Sequence, residues 1–283
     1  MGFFEKQGNS LIFRENGETV MVTPWGKNSL RIRACVLGDI GEQNAALLPV
    51  EELESEITMD EWTATIKNGN ISAEMNVQPW GRSLQLIFRN QDGKVLLKEI
   101  PNGGALARRA HHFKPLAGGT FRLKASFVPE EGEKIYGMGQ YQQEIMDLKG
   151  SSLELAHRNS QASIPFYISN IGYGFLWNNA AIGEVHFGTN ETQWVAEVTK
   201  QLDYWITAGE TPAEIEEAYA SVTGTAPMMP EYGLGFWQCK LRYYNQEQVL
   251  EIAREYKRRG IPVDVLVIDY YHWPRCGDWR FDE

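Results

Sequence analysis

The sequence predicts an α+β, multidomain chain in which an antiparallel β-sandwich precedes a β-α-β unit that opens a larger parallel sheet or barrel. Three observations predict it. From Asn9 to about Gly209, short β-branched and aromatic runs alternate with turn residues and show little helical periodicity. Pro227 and Pro230 then punctuate a linker. After Pro230 come an apolar run, an amphipathic helical stretch and a second apolar run. The division expected is a sandwich over residues 1–228 and the parallel unit over 229–283. A two-stranded parallel sheet cannot bury both its faces, so more sheet is expected beyond Glu283.

The elements follow in order. Ser10–Arg14, the turn Glu15-Asn16-Gly17-Glu18 and Thr19–Thr23 have the grammar of a β-hairpin. Ser83–Phe88 turns through Asn90-Gln91-Asp92-Gly93 into Lys94–Leu97, and Phe121–Phe127 alternates as a half-buried strand does. Ser163–Ser169 and Gly172–Trp177 are short aromatic-rich strands, and Pro165 points to a sheet edge or a strand start. Thr211-Pro212-Ala213-Glu214 is a capping box with proline at the first helical position, and it opens a helix ending near Gly224. Gly233–Cys239 is expected as a buried strand. Asn245 caps the next helix with Gln248 as reciprocal partner, and Val249, Ile252, Ala253 and Tyr256 share its apolar face. Gly260 and Pro262 end that helix, and Val263–Ile268 forms a second strand, apolar except for Asp264.

Composition narrows the function. The chain has 283 residues, of which 43% are hydrophobic, enough for a buried core. A net charge of −10 argues against nucleic-acid binding, which needs basic patches to displace counterions. The basic run Lys257-Arg258-Arg259 suits the last turn of a helix. No segment is long and apolar enough to span a bilayer, so no membrane partner is expected. Met1–Lys6 lacks the form of a secretory signal. Cys35, Cys239 and Cys276, odd in number and far apart, suit free thiols, and a cytoplasmic location is expected.

Ile268-Asp269-Tyr270-Tyr271-His272-Trp273 carries the clearest chemistry. It emerges at the C-terminal end of a parallel strand, where barrel active sites form. A carboxylate accepts hydrogen bonds from neighbouring sugar hydroxyls, and aromatic rings cover the apolar face of a pyranose. The alternative is that Asp269 caps a turn and the aromatics are core. His111 and His112 are adjacent, so in a strand they face opposite ways and do not chelate one metal. His272 suits a sugar site or simple packing equally, and Trp25, Trp62 and Trp80 suit sandwich packing better than exposed platforms. Gly233-Leu234-Gly235 lacks the third glycine of a phosphate loop. Asp278, Asp282 and Glu283 are assigned to loop solvation.

Several motifs, in order, resemble glycoside hydrolase family 31. They are Tyr136-Gly137-Met138-Gly139-Gln140, Ile164-Pro165-Phe166-Tyr167, Gly172–Asn178, Pro230–Trp237 and Ile261–Asp269. The resemblance spans about Tyr136 to Glu283 and implies that the second domain starts a (β/α)8 TIM barrel. It implies that Asp269 holds hydroxyls of the terminal sugar in the −1 subsite, that Tyr270 and Tyr271 shape its wall, and that Tyr243 lines it. A sandwich loop carrying His157-Arg158-Asn159 would reach over the barrel, with Asn159 where many members carry aspartate. The family's two catalytic aspartates would lie beyond Glu283, so no catalytic residue is assigned in this chain, and the chain alone is expected to be inactive. No cofactor or metal is implied. The expected partner is an oligosaccharide or α-glycoside whose terminal α-xylosyl or α-glucosyl residue is removed by an exo-acting, retaining enzyme. An α-galactosidase of the same family, or a non-catalytic carbohydrate-binding protein on the same scaffold, are the alternatives. A homo-oligomer is compatible with the sequence.

Overall fold

The computed structural model describes residues 2–51, 53–78, 82–101, 109–269 and 272–281. The chain forms two compact units, Met1–Thr225 and Ala226–Glu283. The first holds two antiparallel sheets. One runs in the order β1 (Phe4–Gln7), β2 (Ser10–Glu15), β3 (Glu18–Pro24), β4 (Ser29–Val36), β18 (Leu202–Ala208), β15 (Tyr173–Trp177), β14 (Ala162–Ser169), β12 (Ile135–Gln140). The other runs β13 (Ser152–Leu155), β16 (Gly183–Phe187), β17 (Thr192–Thr199), β11 (Phe121–Val128), β9 (Val95–Glu99), β8 (Leu84–Asn90), β7 (Ile71–Val77), β6 (Thr63–Asn68), β5 (Glu56–Met59), with β10 (His111–Pro115) also paired to β11.

Alternation makes the core. In β7 the burial pattern is strictly two-fold, with Ile71, Ala73, Met75 and Val77 inward. Phe13 and Val20 from one sheet and Phe88, Phe127 and Trp194 from the other join a single buried cluster. Aromatic rings dominate its centre: Trp177 stacks on Trp194 at 5.5 Å, and Phe175 stacks on Tyr204 at 5.1 Å. The first hairpin forms as the sequence predicts. Glu15 pairs with Glu18 across a two-residue turn, and Asn16 (φ 52°) and Gly17 (φ 77°) supply the left-handed pair that a type I′ turn requires.

Charge ties the sheets together at one place. His111 is buried; its Nδ1 meets Glu18 of β3 at 2.8 Å and its Nε2 meets Glu99 of β9 at 2.8 Å. Tyr204 of β18 donates its hydroxyl to Glu99 at 3.2 Å. Burial opposes a charge on the ring, but the two carboxylates outweigh it and push the His111 pKa up to about 10. His112 faces outward, as the alternation of a strand demands.

Pro165 does not mark an edge or a strand start. It is the fourth residue of β14, which lies between β12 and β15. Pairing of β14 with β15 begins only at Phe166, and the register with β12 shifts between Gly137 and Gly139. The proline therefore sits at a bulge, where its missing N–H breaks no ladder.

Helix α1 (Pro212–Thr223) begins with the predicted capping box: the Thr211 hydroxyl accepts from Glu214 N, and the Glu214 carboxylate reaches back to the Thr211 backbone. Its buried residues, Ile215 and Val222, pack with Leu47, Phe166, Leu176 and Trp205, and Tyr219 stacks flat on Phe166 at 3.9 Å. Trp25 also packs here, its indole donating to Leu48 O, and Trp62 lies against Phe3 at 5.2 Å. Trp25 is half-buried, Trp62 remains 39% exposed, and Trp80 lies outside the described residues.

The second unit is a β-α-β unit with parallel strands β19 (Trp237–Lys240) and β20 (Val265–Ile268), joined by α2 (Gln246–Arg258). The buried strand expected over Gly233–Cys239 is corrected. Glu231–Leu234 forms a 3-10 turn, and only Trp237–Lys240 is strand. Trp237 is 50% exposed, since one helix cannot cover both faces of two strands. The Asp264 carboxylate accepts from Phe236 N at 3.0 Å, filling the space where a Cβ on Gly235 would collide with it. That contact starts the pairing and explains the one polar residue in an apolar run. Val249, Ile252, Ala253 and Tyr256 form the half-buried face of α2. Asn245 caps Gln248 N as expected, but Gln248 Oε1 returns to Tyr244 N rather than to the cap itself.

Candidate functional site

Asp269 directly follows β20, at the C-terminal end of the parallel pair. The apolar run Val265–Ile268 supplies the strand, and the first polar residue after it falls at the strand's mouth. Asp269 is exposed. Its Oδ2 lies 3.9 Å from Cys239 Sγ, and its carbonyl bonds His272 Nδ1 at 2.8 Å. Cys239 belongs to β19, whose register sets it opposite Val267. The thiol's place beside the carboxylate was not legible in the sequence, because it depends on the register of two strands separated by a helix.

Tyr243 follows β19 at the same end of the pair, so the fold brings it and Asp269 to one rim. It is the buried member, with 8% of its surface exposed. Its hydroxyl is buried without a hydrogen-bond partner among the described residues, and Lys240 Nζ sits 5.9 Å from the ring centroid. The His272 ring packs on Trp273 at 4.5 Å, and Trp273 meets Trp279 edge-on at 5.4 Å. These rings form an aromatic cluster after β20. Tyr270 and Tyr271 lie outside the described residues. Asp278 is half-buried and held by Arg280 in a bidentate contact, while Asp282 and Glu283 lie outside the described residues.

Asn159 belongs to the first unit. It sits exposed on the turn between β13 and β14, closed by the bridge of Arg158 with Gln161 and by the left-handed Ser160 (φ 64°). Arg158 is occupied by Glu154, to which its guanidinium donates at 2.7 and 2.5 Å. The Asn159 amide thus stands at a loop tip with its neighbouring arginine already committed. No group of metal-ligating side chains was found among the described residues, and none of the described helices is long and apolar enough to cross a membrane.

Carboxylate, phenol and aromatic cluster at the rim of parallel strands can grip hydroxyls and cover a sugar face. Nothing in that set provides a nucleophile beside a general acid. Comparison with known proteins places the chain. Residues 19–185 match the glycosyl hydrolase 31 N-terminal galactose mutarotase-like domain, and residues 226–283 match the glycosyl hydrolases family 31 TIM-barrel domain. An uncharacterized family 31 glucosidase ORF2 of Pseudescherichia vulneris is 47% identical over 98% of this chain and 55% of its own length. Alpha-xylosidase A of Aspergillus niger is 32% identical over 99% of this chain and 40% of its own. The crystal structure of a GH31 alpha-xylosidase from a soil metagenome, complexed with xylose, superposes with a TM-score of 0.86 at 48% identity, over 99% of this chain and 43% of that one. The chain therefore spans about half the length, or less, of the relatives it matches.

Proposed function

Because the chain belongs to glycosyl hydrolase family 31, we propose that the whole protein is an exo-acting, retaining α-glycosidase that removes terminal α-xylosyl or α-glucosyl residues. This chain would supply part of its −1 subsite. The observation that carries the proposal is Asp269, exposed at the C-terminal end of the second parallel strand with Tyr243 on the same rim. An ionised carboxylate there accepts hydrogen bonds from sugar hydroxyls, and such bonds strengthen as the ring flattens toward an oxocarbenium-like transition state. The Tyr243 ring would line the wall of that subsite. Asn159, from the sandwich, would meet a more distal hydroxyl and tune which sugar is accepted. A retaining mechanism requires two carboxylates about 5–5.5 Å apart across the scissile bond; the family resemblance assigns both to barrel strands after β20. Relatives named alpha-xylosidase or glucosidase support the choice of sugar. Free Cys35, Cys239 and Cys276 support a reducing, cytoplasmic setting.

A panel of p-nitrophenyl α-glycosides offered to the full-length protein tests this reading. Turnover of the α-xyloside or α-glucoside is expected. Preference for the α-galactoside would move the specificity within the family. Saturable binding without turnover of any member would replace the enzyme by a carbohydrate-binding protein.

A further inference from the structure

The segment that carries Asn159 crosses from one sheet of the sandwich to the other. Before it, β13 pairs with β16; after it, β14 pairs with β12 and β15, so no ladder joins the two strands that flank the turn. Residues 156–161 therefore lack the paired stem that holds an ordinary hairpin loop. Bonds within residues 154–163 give the turn its own shape. Gln161 Nε2 donates to Ala156 O at 2.9 Å, Ser163 N donates to His157 Nδ1 at 3.3 Å, and Arg158 grips Glu154.

Tyr141 reaches this turn from elsewhere in the chain. It directly follows β12, whose last residue, Gln140, pairs with Ala162. Its half-buried ring packs against the main core of the sandwich. Its hydroxyl lies 2.8 Å from Glu154 O and 2.8 Å from Ser163 Oγ. A carbonyl can only accept, so the phenol proton goes to Glu154, and the Ser163 hydroxyl donates to the phenol oxygen. One side chain anchored in the core thus fastens the end of β13, in the second sheet, to the start of β14, in the first. The two bonds close the mouth of the turn from both sides. Phenylalanine would pack the ring equally well; the hydroxyl is the part that the turn uses.

We propose that Tyr141 is a positioning residue for the reaction, its hydroxyl fixing the spacing of β13 and β14 and thereby the place of Asn159 at the loop tip. That role rests on Asn159 meeting a sugar hydroxyl, the function proposed for it. A hydrogen bond weakens steeply as its geometry departs from the ideal, so a tip that drifts by about 1 Å gives up most of the contact.

Steady-state kinetics of the full-length protein on p-nitrophenyl α-xyloside and α-glucoside tests this, with Tyr141→Phe, Asn159→Ala and the double variant. Tyr141→Phe keeps the ring in the core and is expected to lower kcat/KM about 5- to 10-fold. It should also shift the preference between the two sugars in the same direction as Asn159→Ala. In the Asn159→Ala background the same substitution should change kcat/KM by less than about twofold, because the residue through which it acts is gone. A hydroxyl that served stability alone would lower Tm and act equally in both backgrounds. Equal losses in the two backgrounds, or none from Tyr141→Phe while Asn159→Ala slows turnover, overturn the role of Tyr141 and leave that of Asn159 standing. Wild-type kinetics in Asn159→Ala overturn both.

Discussion

A carboxylate at the end of an apolar strand serves either the strand or a ligand, and the two roles differ in what its loss does. Asp269 is exposed, and its side chain meets the Cys239 thiol at 3.9 Å. An exposed carboxylate contributes little to stability, because water screens its interactions. In the full-length protein, Asp269→Asn is therefore expected to lower kcat/KM by roughly 100-fold, about 2.7 kcal/mol, with Tm nearly unchanged. An early-melting variant with normal turnover per folded molecule would give Asp269 a structural role instead. Asn159→Ala should raise the barrier by about 1–3 kcal/mol, a fall in kcat/KM of roughly 5- to 150-fold, if its amide meets the sugar, again without loss of stability, because the residue is exposed. His111 is the opposite case. It lies buried between Glu18 and Glu99, so His111→Ala strands two carboxylates and should cost about 3–5 kcal/mol in urea denaturation. Its pKa is raised to about 10 in the fold. The stabilisation is thus fully present below the unfolded value of about 6.5 and is lost as pH climbs through the folded value. Stability measured between neutral and alkaline pH should fall in the wild type and much less in the variant.

At the scale of elements, the bend in β12 stands out. Gly137, Met138 and Gly139 all have positive φ, at 121°, 69° and 89°, and Met138 is fully buried. A Cβ on Gly139 would run into Ala162 O and Ile164 N of β14. Gly139→Ala combines that clash with left-handed strain, and a loss of roughly 2 kcal/mol or more is expected in chemical denaturation. The same motif carried much of the family resemblance, and the bend gives the physical reason for its glycines. Helix α1 offers a milder test. Thr211→Ala removes a side-chain cap and should cost about 1 kcal/mol. A neutral result would mean that packing of Ile215 and Val222 alone fixes the helix start.

For the molecule as a whole, the units differ in how much apolar surface they cover. The sandwich closes on its own aromatic core. The β-α-β unit leaves Leu234 79%, Trp279 85% and Phe281 94% exposed, and all its strand residues at least partly so. Apolar surface of that kind associates in water. Residues 1–283 expressed alone should self-associate, and deleting 226–283 should give a more soluble, monodisperse sandwich by size-exclusion chromatography. The isolated chain should also turn over no α-glycoside. Measurable hydrolysis would place the catalytic carboxylates within these residues.

The sequence by itself determined whatever rests on neighbours in the chain. The Asn16-Gly17 turn, the Thr211 capping box, the Asn245 cap and the apolar face of α2 depend on a few consecutive residues, and each formed where local chemistry dictated. The alternation of Phe121–Phe127 was legible for the same reason, and so was the β-α-β order. Ordered motifs from Tyr136 onward carried the family, and the family match reaches further upstream, to Thr19, where alternation had shown only a generic sandwich. Tertiary structure decided what depends on residues far apart. The bulge that accommodates Pro165 requires β12 to shift register against β14. The charge on His111 requires Glu18, 93 positions away, to meet it across two sheets. The shortened β19 follows from the Asp264 contact with Phe236 N and from the lack of cover on its faces. Local propensity acts over a turn or two, whereas register and convergence are fixed by which strands pair, and the buried core settles that pairing.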